Sequence, residues 1–147
     1  MKNEKENSAL NSNAQNTSTT TTRYSDEDLK EFKDLISAKL HKSNLDYESL
    51  IESLSLKGDN GTNDTSPTFK LLEDAGDLFS REEMSNHALR QRKYIEHLEN
   101  ALIRIENKTY GICSVTGKLI SKERLRSVPH STMCIDAKKE LGNSLSK

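Results

Sequence analysis

The chain has 147 residues and a formal net charge of −1, because its 22 Lys and Arg residues are balanced by 23 Asp and Glu residues. Only 32% of the residues are hydrophobic and 5% are aromatic, whereas a compact globular domain is roughly 45–50% apolar. This composition argues against one large core, against a base-stacking surface and against broad, phosphate-driven binding of nucleic acid. It leaves a chain that is partly disordered, or one built from elongated helices with a narrow apolar seam.

The N-terminal 22 residues are a low-complexity stretch dominated by Ser, Thr and Asn. Such a stretch buries too little apolar surface to offset the entropy lost on ordering, so residues 1–22 are predicted to be a disordered tail. They lack the apolar centre of a signal peptide, and no run in the chain reaches the roughly 20 apolar residues of a membrane span. The sequence therefore predicts a cytoplasmic chain with no membrane partner.

A first long helix is predicted to begin after Ser25, which suits an N-cap ahead of the acidic residues Asp26, Glu27 and Asp28. Core-facing positions then recur in steps of three and four residues, the period of a helix near that of a coiled-coil seam. These positions are Leu29, Phe32, Ile36, Leu40, Ser43, Tyr47, Leu50 and Leu54.

The next stretch, residues 57–68, is rich in Gly, Asn and Asp and predicts a break in the helix. Residues 69–79 fit either a helical turn or an ordered loop, so the tip loop is predicted at about 57–79. Ser80 and Glu83 have the spacing of a capping box, which predicts that a second helix starts there. Its seam repeats every 3.5 residues on average. The seam residues are Met84, Ala88, Gln91, Ile95, Leu98, Leu102 and Ile105. Residues 23–108 are therefore predicted to form an antiparallel helical hairpin.

Residues 109–141 form a third region, with short β-like pieces, two glycines and Pro129 before helix-forming residues return. A module this small usually needs a metal, a disulfide or a docking partner to stay folded. Cys113 and Cys134 each begin a C-x-x-C motif, but its last position is Thr116 in one case and Ala137 in the other. A complete pair of such motifs would indicate a tetrahedral zinc site.

At these positions the chain resembles the DksA/TraR family of bacterial transcription regulators that bind RNA polymerase. The residues that carry the resemblance are Tyr110, Gly111, Cys113, Gly117, Ile120, Arg124, Leu125, Pro129, Cys134, Ile135 and Asp136. The resemblance covers roughly residues 70–140, and residues 25–56 fit the family by pattern. It implies a mainly α-helical fold in which a long antiparallel coiled-coil hairpin carries a small zinc-finger-like module and a C-terminal helix, with residues 142–147 as a tail.

The resemblance also implies a function. In this family the hairpin enters the secondary channel of core RNA polymerase, and the protein acts on initiation without reading DNA sequence. Better-known members carry Asp-x-x-Asp-x-Ala at the hairpin tip and work with the nucleotide (p)ppGpp, which is therefore a candidate second partner. Alignment without gaps places Lys70, Glu73 and Ala75 at the three tip positions, and a shift of one residue offers Asp74 and Asp77.

Zinc is the cofactor that the resemblance implies, with Cys113 and Cys134 as the candidate ligands. Because Thr116 and Ala137 stand where zinc-binding relatives have cysteine, three alternatives remain for this module. It is held by its apolar residues without metal, it keeps a weaker zinc site, or its two cysteines form a reversible disulfide.

The basic residues Lys122, Arg124 and Arg126 lie in the module and are predicted to face the polymerase. The competing hypothesis is a hairpin that pairs with another protein or with a second copy of itself, because a 3.5-residue seam would equally serve homodimerisation. No motif for a nucleophilic triad, a phosphate-binding loop or a zinc protease is present in the sequence, so we predict that the chain is not an enzyme.

Overall fold

The computed structural model describes residues 22–56 and 67–145. Apart from Thr22, the predicted disordered tail lies outside the described residues, as do residues 57–66 of the predicted tip loop. The described residues contain four helices, which are α1 (Asp26–Leu56), α2 (Pro67–Glu106), α3 (Lys122–Ser127) and α4 (Ile135–Ser144). Among the described residues there is no strand, and only an isolated antiparallel bridge joins Ile112 to Leu119. The predicted mainly helical fold is confirmed.

The helices α1 and α2 form an antiparallel hairpin. Lys33 Nζ lies 2.6 Å from Glu106 Oε1 at one end, and farther along Gln91 Nε2 donates a hydrogen bond to the Ser43 carbonyl oxygen at 3.3 Å. Residues farther along α1 thus contact residues nearer the start of α2, as expected for antiparallel helices. At about 1.5 Å per residue, the 31 residues of α1 and the 40 of α2 span roughly 46 Å and 60 Å. Neither these helices nor the two shorter described ones are apolar enough to cross a membrane.

The predicted seam is the buried interface of this hairpin. Its buried members are Leu29, Phe32, Ile36, Ser43, Ala88, Ile95, Leu98 and Ile105. The remaining predicted positions are partly buried, so the spacing of both seams is confirmed. In the described part of the hairpin the buried positions end at Ser43 in α1 and begin at Ala88 in α2. Packing is therefore tightest in the half of the hairpin that adjoins the module, called the base below.

The predicted tip loop is wrong over residues 67–79, because α2 already begins at Pro67. Proline is well suited to the first position of a helix, where its missing N–H would have no partner. The residues that follow are mostly good helix formers, and Gly76 costs only about 1 kcal/mol relative to alanine. The capping-box spacing at Ser80 therefore lies inside a continuous helix. In the same way, α4 extends to Ser144, into the predicted tail.

The C-terminal module packs against the base of the hairpin through aromatic rings. The Phe32 ring centroid lies 5.7 Å from that of Tyr24 and 5.4 Å from that of Tyr110. Tyr110 Oη donates a hydrogen bond to the Pro129 carbonyl oxygen at 2.7 Å, and Tyr24 Oη donates one to the Ile120 carbonyl oxygen. The base of the hairpin and the module therefore share one hydrophobic core.

Gly111 is required where the Tyr24 ring crosses the module. Its φ is +77°, and a Cβ added there would collide with Cε2 and Cδ2 of the Tyr24 ring. A side chain at this position would therefore be strained and would also collide with the ring.

Candidate functional site

Cys113 lies at the start of a tight turn that is closed by backbone hydrogen bonds. The Cys113 amide donates to the Lys118 carbonyl oxygen at 2.8 Å, and the Gly117 amide donates to the Cys113 carbonyl oxygen at 2.9 Å. Gly117 has a φ of +68°, a conformation that glycine adopts without strain. The turn therefore holds Cys113 and Thr116 close to the N-terminus of α4.

Cys134 is the N-cap residue of α4, and it meets this turn. Its backbone amide donates to Cys113 Sγ at 3.3 Å, and its own Sγ lies 3.8 Å from Thr116 Oγ1. Both cysteines are free thiols. The Thr116 hydroxyl, followed by the Cys134 amide, lowers the pKa of the Cys113 thiol to about 6, since hydrogen bonds to a thiolate favour the charged form.

These donors do not fit a tetrahedral zinc site. A structural zinc ion takes four sulfur, nitrogen or carboxylate ligands, whereas this cluster offers two thiols and a hydroxyl. The fourth position is Ala137, whose side chain cannot ligate and is only 1% exposed in the core. Across residues 22–56 and 67–145, no group of three or more His, Cys, Asp or Glu side chains could hold a metal ion. The structure brings Cys113 and Cys134 together as expected, but without the rest of a ligand set.

An open cavity of about 520 Å³ lies between α2 and the module, and no pattern in the sequence indicated it. We call this cavity the cationic groove. Arg104 of α2, Arg124 of α3 and Lys138 of α4 line it, together with His97 and His130. Three permanent positive charges from three different helices make it a site suited to an anion. Because each residue is unremarkable in its own segment, only the tertiary fold brings the cluster together.

His130 packs against one wall of the groove. Its ring centroid lies 5.3 Å from that of Tyr94 and stacks 5.7 Å from that of His97. Its carbonyl oxygen accepts a hydrogen bond from Arg104 Nη2 at 3.3 Å, while its buried Nδ1 has no hydrogen-bond partner within the described chain. Burial lowers the pKa of His130, and the neighbouring charges of His97, Arg104 and Lys138 lower it further.

The basic residues predicted to face the polymerase all have partners within the chain. Lys122 Nζ lies 2.6 Å from Asp28 Oδ1, and Arg126 Nη2 lies 3.0 Å from Glu31 Oε1. These two ion pairs join α3 to α1. Arg124 Nε instead donates to the Met133 carbonyl oxygen at 2.9 Å. Their contact with polymerase stays a prediction, and any test of it must separate binding from this internal role.

The tip residues Glu73, Asp74, Ala75 and Asp77 are all exposed and lie near the start of α2 rather than in a loop. Glu73 and Asp77 are four residues apart, so they share one face of the helix. Two apolar side chains follow at once, Leu78 and Phe79, each 68% exposed. The described part of the tip is thus both acidic and apolar.

The module has the pattern of a known family. Residues 108–141 match the model of the prokaryotic dksA/traR C4-type zinc finger. Residues 108–141 therefore carry the pattern of the DksA/TraR zinc finger, as the resemblance predicted, although two of its four cysteines are replaced.

Similar proteins agree with this assignment. The chain is 42% identical over 60 residues to the uncharacterized protein YteA of Bacillus subtilis, a match that covers 41% of this chain and 25% of YteA. It is 44% identical over 48 residues to the RNA polymerase-binding transcription factor DksA of Caulobacter vibrioides, covering 33% of this chain and 34% of that protein. The chain thus matches between a quarter and about a third of the length of these curated relatives.

A solved structure extends the likeness to the hairpin. The transcription factor DksA2 of Pseudomonas aeruginosa superposes with a TM-score of 0.72, over 82% of this chain and 88% of that one, at 22% sequence identity. The coiled-coil hairpin that carries a small module is therefore the fold of DksA2.

Proposed function

We propose that this chain is a cytoplasmic transcription regulator that binds bacterial RNA polymerase. In this proposal the hairpin enters the secondary channel, and the protein acts without reading DNA sequence and without catalysis of its own. The observation that carries the proposal is the combination of a DksA/TraR module at residues 108–141 with a hairpin whose fold is that of DksA2.

The shape of the hairpin supports this function. A pair of helices is about 20 Å across and can enter a channel that would exclude a globular domain. Its acidic tip residues lie at the far end from the module, so the tip would be inserted while the module stays outside. Carboxylates such as Asp74 and Asp77 would then approach the polymerase active-site region.

The cationic groove supports an anionic nucleotide as a second ligand. Arg104, Arg124 and Lys138 face one open cavity, and phosphate groups bind to such clusters through charge-assisted hydrogen bonds. We therefore place (p)ppGpp, the nucleotide partner that the family resemblance implies, in this groove rather than at the tip.

The competing hypothesis of homodimerisation loses its main argument. It rested on the 3.5-residue seam of α2, and that seam is buried against α1 of the same chain, with Leu98 fully buried and Ile95 nearly so. A second copy would have to displace α1 in order to use it.

Site-specific crosslinking tests the proposed function. A photoreactive amino acid in place of Leu78, which is exposed at the tip, should crosslink the full-length chain to core RNA polymerase inside the channel. The same group in place of Val115, exposed in the module turn, should crosslink elsewhere on the enzyme or not at all. Crosslinks from Leu78 only to a second copy of the chain would favour homodimerisation and contradict the proposal.

A further inference from the structure

We propose that the module is a metal-independent form of the C4 finger, in which hydrogen bonds to two reduced thiols and one packed methyl group take the place of the ion. The inference concerns the cluster of Cys113, Thr116, Cys134 and Ala137 and does not depend on binding to polymerase.

Hydrogen bonds join the two segments that a metal would otherwise crosslink. The Cys134 amide donates to Cys113 Sγ at 3.3 Å. One residue along the first segment, the Ser114 amide donates to the Thr132 carbonyl oxygen at 2.9 Å. Thr116 Oγ1 adds a contact to Cys134 Sγ at 3.8 Å. Three contacts therefore join the turn to the segment that leads into α4, and each forms without a metal ion.

Ala137 is suited to a core and unsuited to a ligand set. Its methyl group is 1% exposed and packs in the same cluster as Cys113, Ile120 and Leu125. Burial of an apolar group is favourable without any partner, whereas a cysteine at this position would add a further thiol ligand to the cluster. The replacement of cysteine by alanine thus removes a ligand and leaves an apolar group that the core accommodates.

The base of the hairpin supplies the support that a free-standing finger draws from zinc. Tyr24, just before α1, donates a hydrogen bond to the module carbonyl oxygen of Ile120, and Gly111 packs directly under its ring. Phe32 of α1 packs on the module residue Tyr110. A module of this size needs a staple or a docking surface, and here it has the docking surface.

The direct test is the metal content and melting of the full-length protein. The chain is expressed in zinc-supplemented medium and purified with a reducing agent, its zinc is measured by mass spectrometry, and its melting is followed with and without a chelator. We expect far less zinc than chains and no change in melting temperature on chelation. Stoichiometric zinc with chelator-sensitive melting would overturn the inference. A module that is folded only in air-oxidised protein, and whose melting is lost when a reducing agent is added, would also overturn it, because a disulfide would then hold the module together.

A variant that completes the motif provides the converse test. Thr116→Cys combined with Ala137→Cys restores four cysteines at the spacing of a zinc finger. We expect this protein to take up one zinc ion per chain and to melt lower when a chelator is added. The single variants are the matched controls and should bind zinc weakly at most. If the double variant folds but gains no zinc, these two residues are not what excludes the metal, and the inference fails. If it does not fold, the zinc content and melting of the wild-type chain decide.

Discussion

Gly111→Ala tests the junction between hairpin and module, because two separate costs coincide at this glycine. Its φ of +77° is unfavourable for any residue with a side chain, and the added Cβ would collide with the Tyr24 ring and lie 3.2 Å from Leu125 Cδ1. Tyr24 cannot easily move aside, since its hydroxyl is bonded to the Ile120 carbonyl oxygen and its ring packs on Phe32.

The chain offers a matched control in Gly117. Its φ is +68°, but nothing lies within 4 Å of the added Cβ. Gly117→Ala should therefore cost only the left-handed backbone strain of about 1–2 kcal/mol. Gly111→Ala should cost that strain plus an overpacking penalty of about 1–3 kcal/mol, or roughly 2–5 kcal/mol in total.

Urea unfolding followed by circular dichroism measures both variants in the full-length chain. The expected difference of about 1–3 kcal/mol corresponds to a further loss of roughly 3–10 °C in melting temperature for a chain of this size. The pair Gly111→Ala with Tyr24→Ala removes the ring and should recover the steric part in a double-mutant cycle. Equal losses in Gly111→Ala and Gly117→Ala would refute the close packing of Tyr24 on Gly111.

Three further predictions follow from the contacts. Arg126→Glu should weaken the contact between α3 and α1 slightly, and the charge exchange that adds Glu31→Arg should restore the melting temperature. If the exchange does not restore polymerase binding as well, Arg126 contacts the polymerase directly. If it does, the role of Arg126 is internal. The contribution of His130 to stability should be fully present well above the ordinary histidine pKa of about 6.5 and be lost as the pH falls. The reason is that the pKa of His130 is lower in the folded than in the unfolded chain, so the unfolded state binds more protons at acidic pH. His130→Gln should flatten this decline when the free energy of unfolding is measured against pH, and an unchanged slope would contradict it. Leu98→Ala should lower the free energy of unfolding by about 2–5 kcal/mol, because Leu98 is fully buried in the seam. Leu45→Ala, at an exposed position of α1, should lie within about 0.5 kcal/mol of wild type. Similar losses in the two variants would argue against the seam.

The hairpin could be predicted from sequence because helical periodicity is a local signal. The steps of three and four residues through Phe32 and Ile36, and through Ile95 and Leu98, place each side chain on one face whatever the partner is. The start of α2 could not be predicted as well. Pro67 ends a helix when it falls inside one but begins a helix when it falls first, and composition alone does not distinguish these two positions.

The candidate sites were harder to predict from sequence, because tertiary contacts determine them. Cys113 and Cys134 could be paired from spacing, but that Ala137 is buried in the core could not. Arg126 was expected to face outward, and its pairing with Glu31 of α1 joins residues far apart in the chain. The cationic groove could not be predicted from any single segment, because its charges come from three different helices.

The measurement that tests the central claim most directly is the affinity of the full-length chain for core RNA polymerase, compared with that of a variant whose tip is altered. Asp74→Asn and Asp77→Asn change exposed residues at the tip and should leave melting unchanged. We expect the wild-type chain to form a specific complex with core enzyme, in which a photoreactive group in place of Leu78 crosslinks to the channel interior. The double tip variant should bind more weakly or lose its effect on initiation. A correctly folded wild-type chain that forms no complex with core polymerase would contradict it.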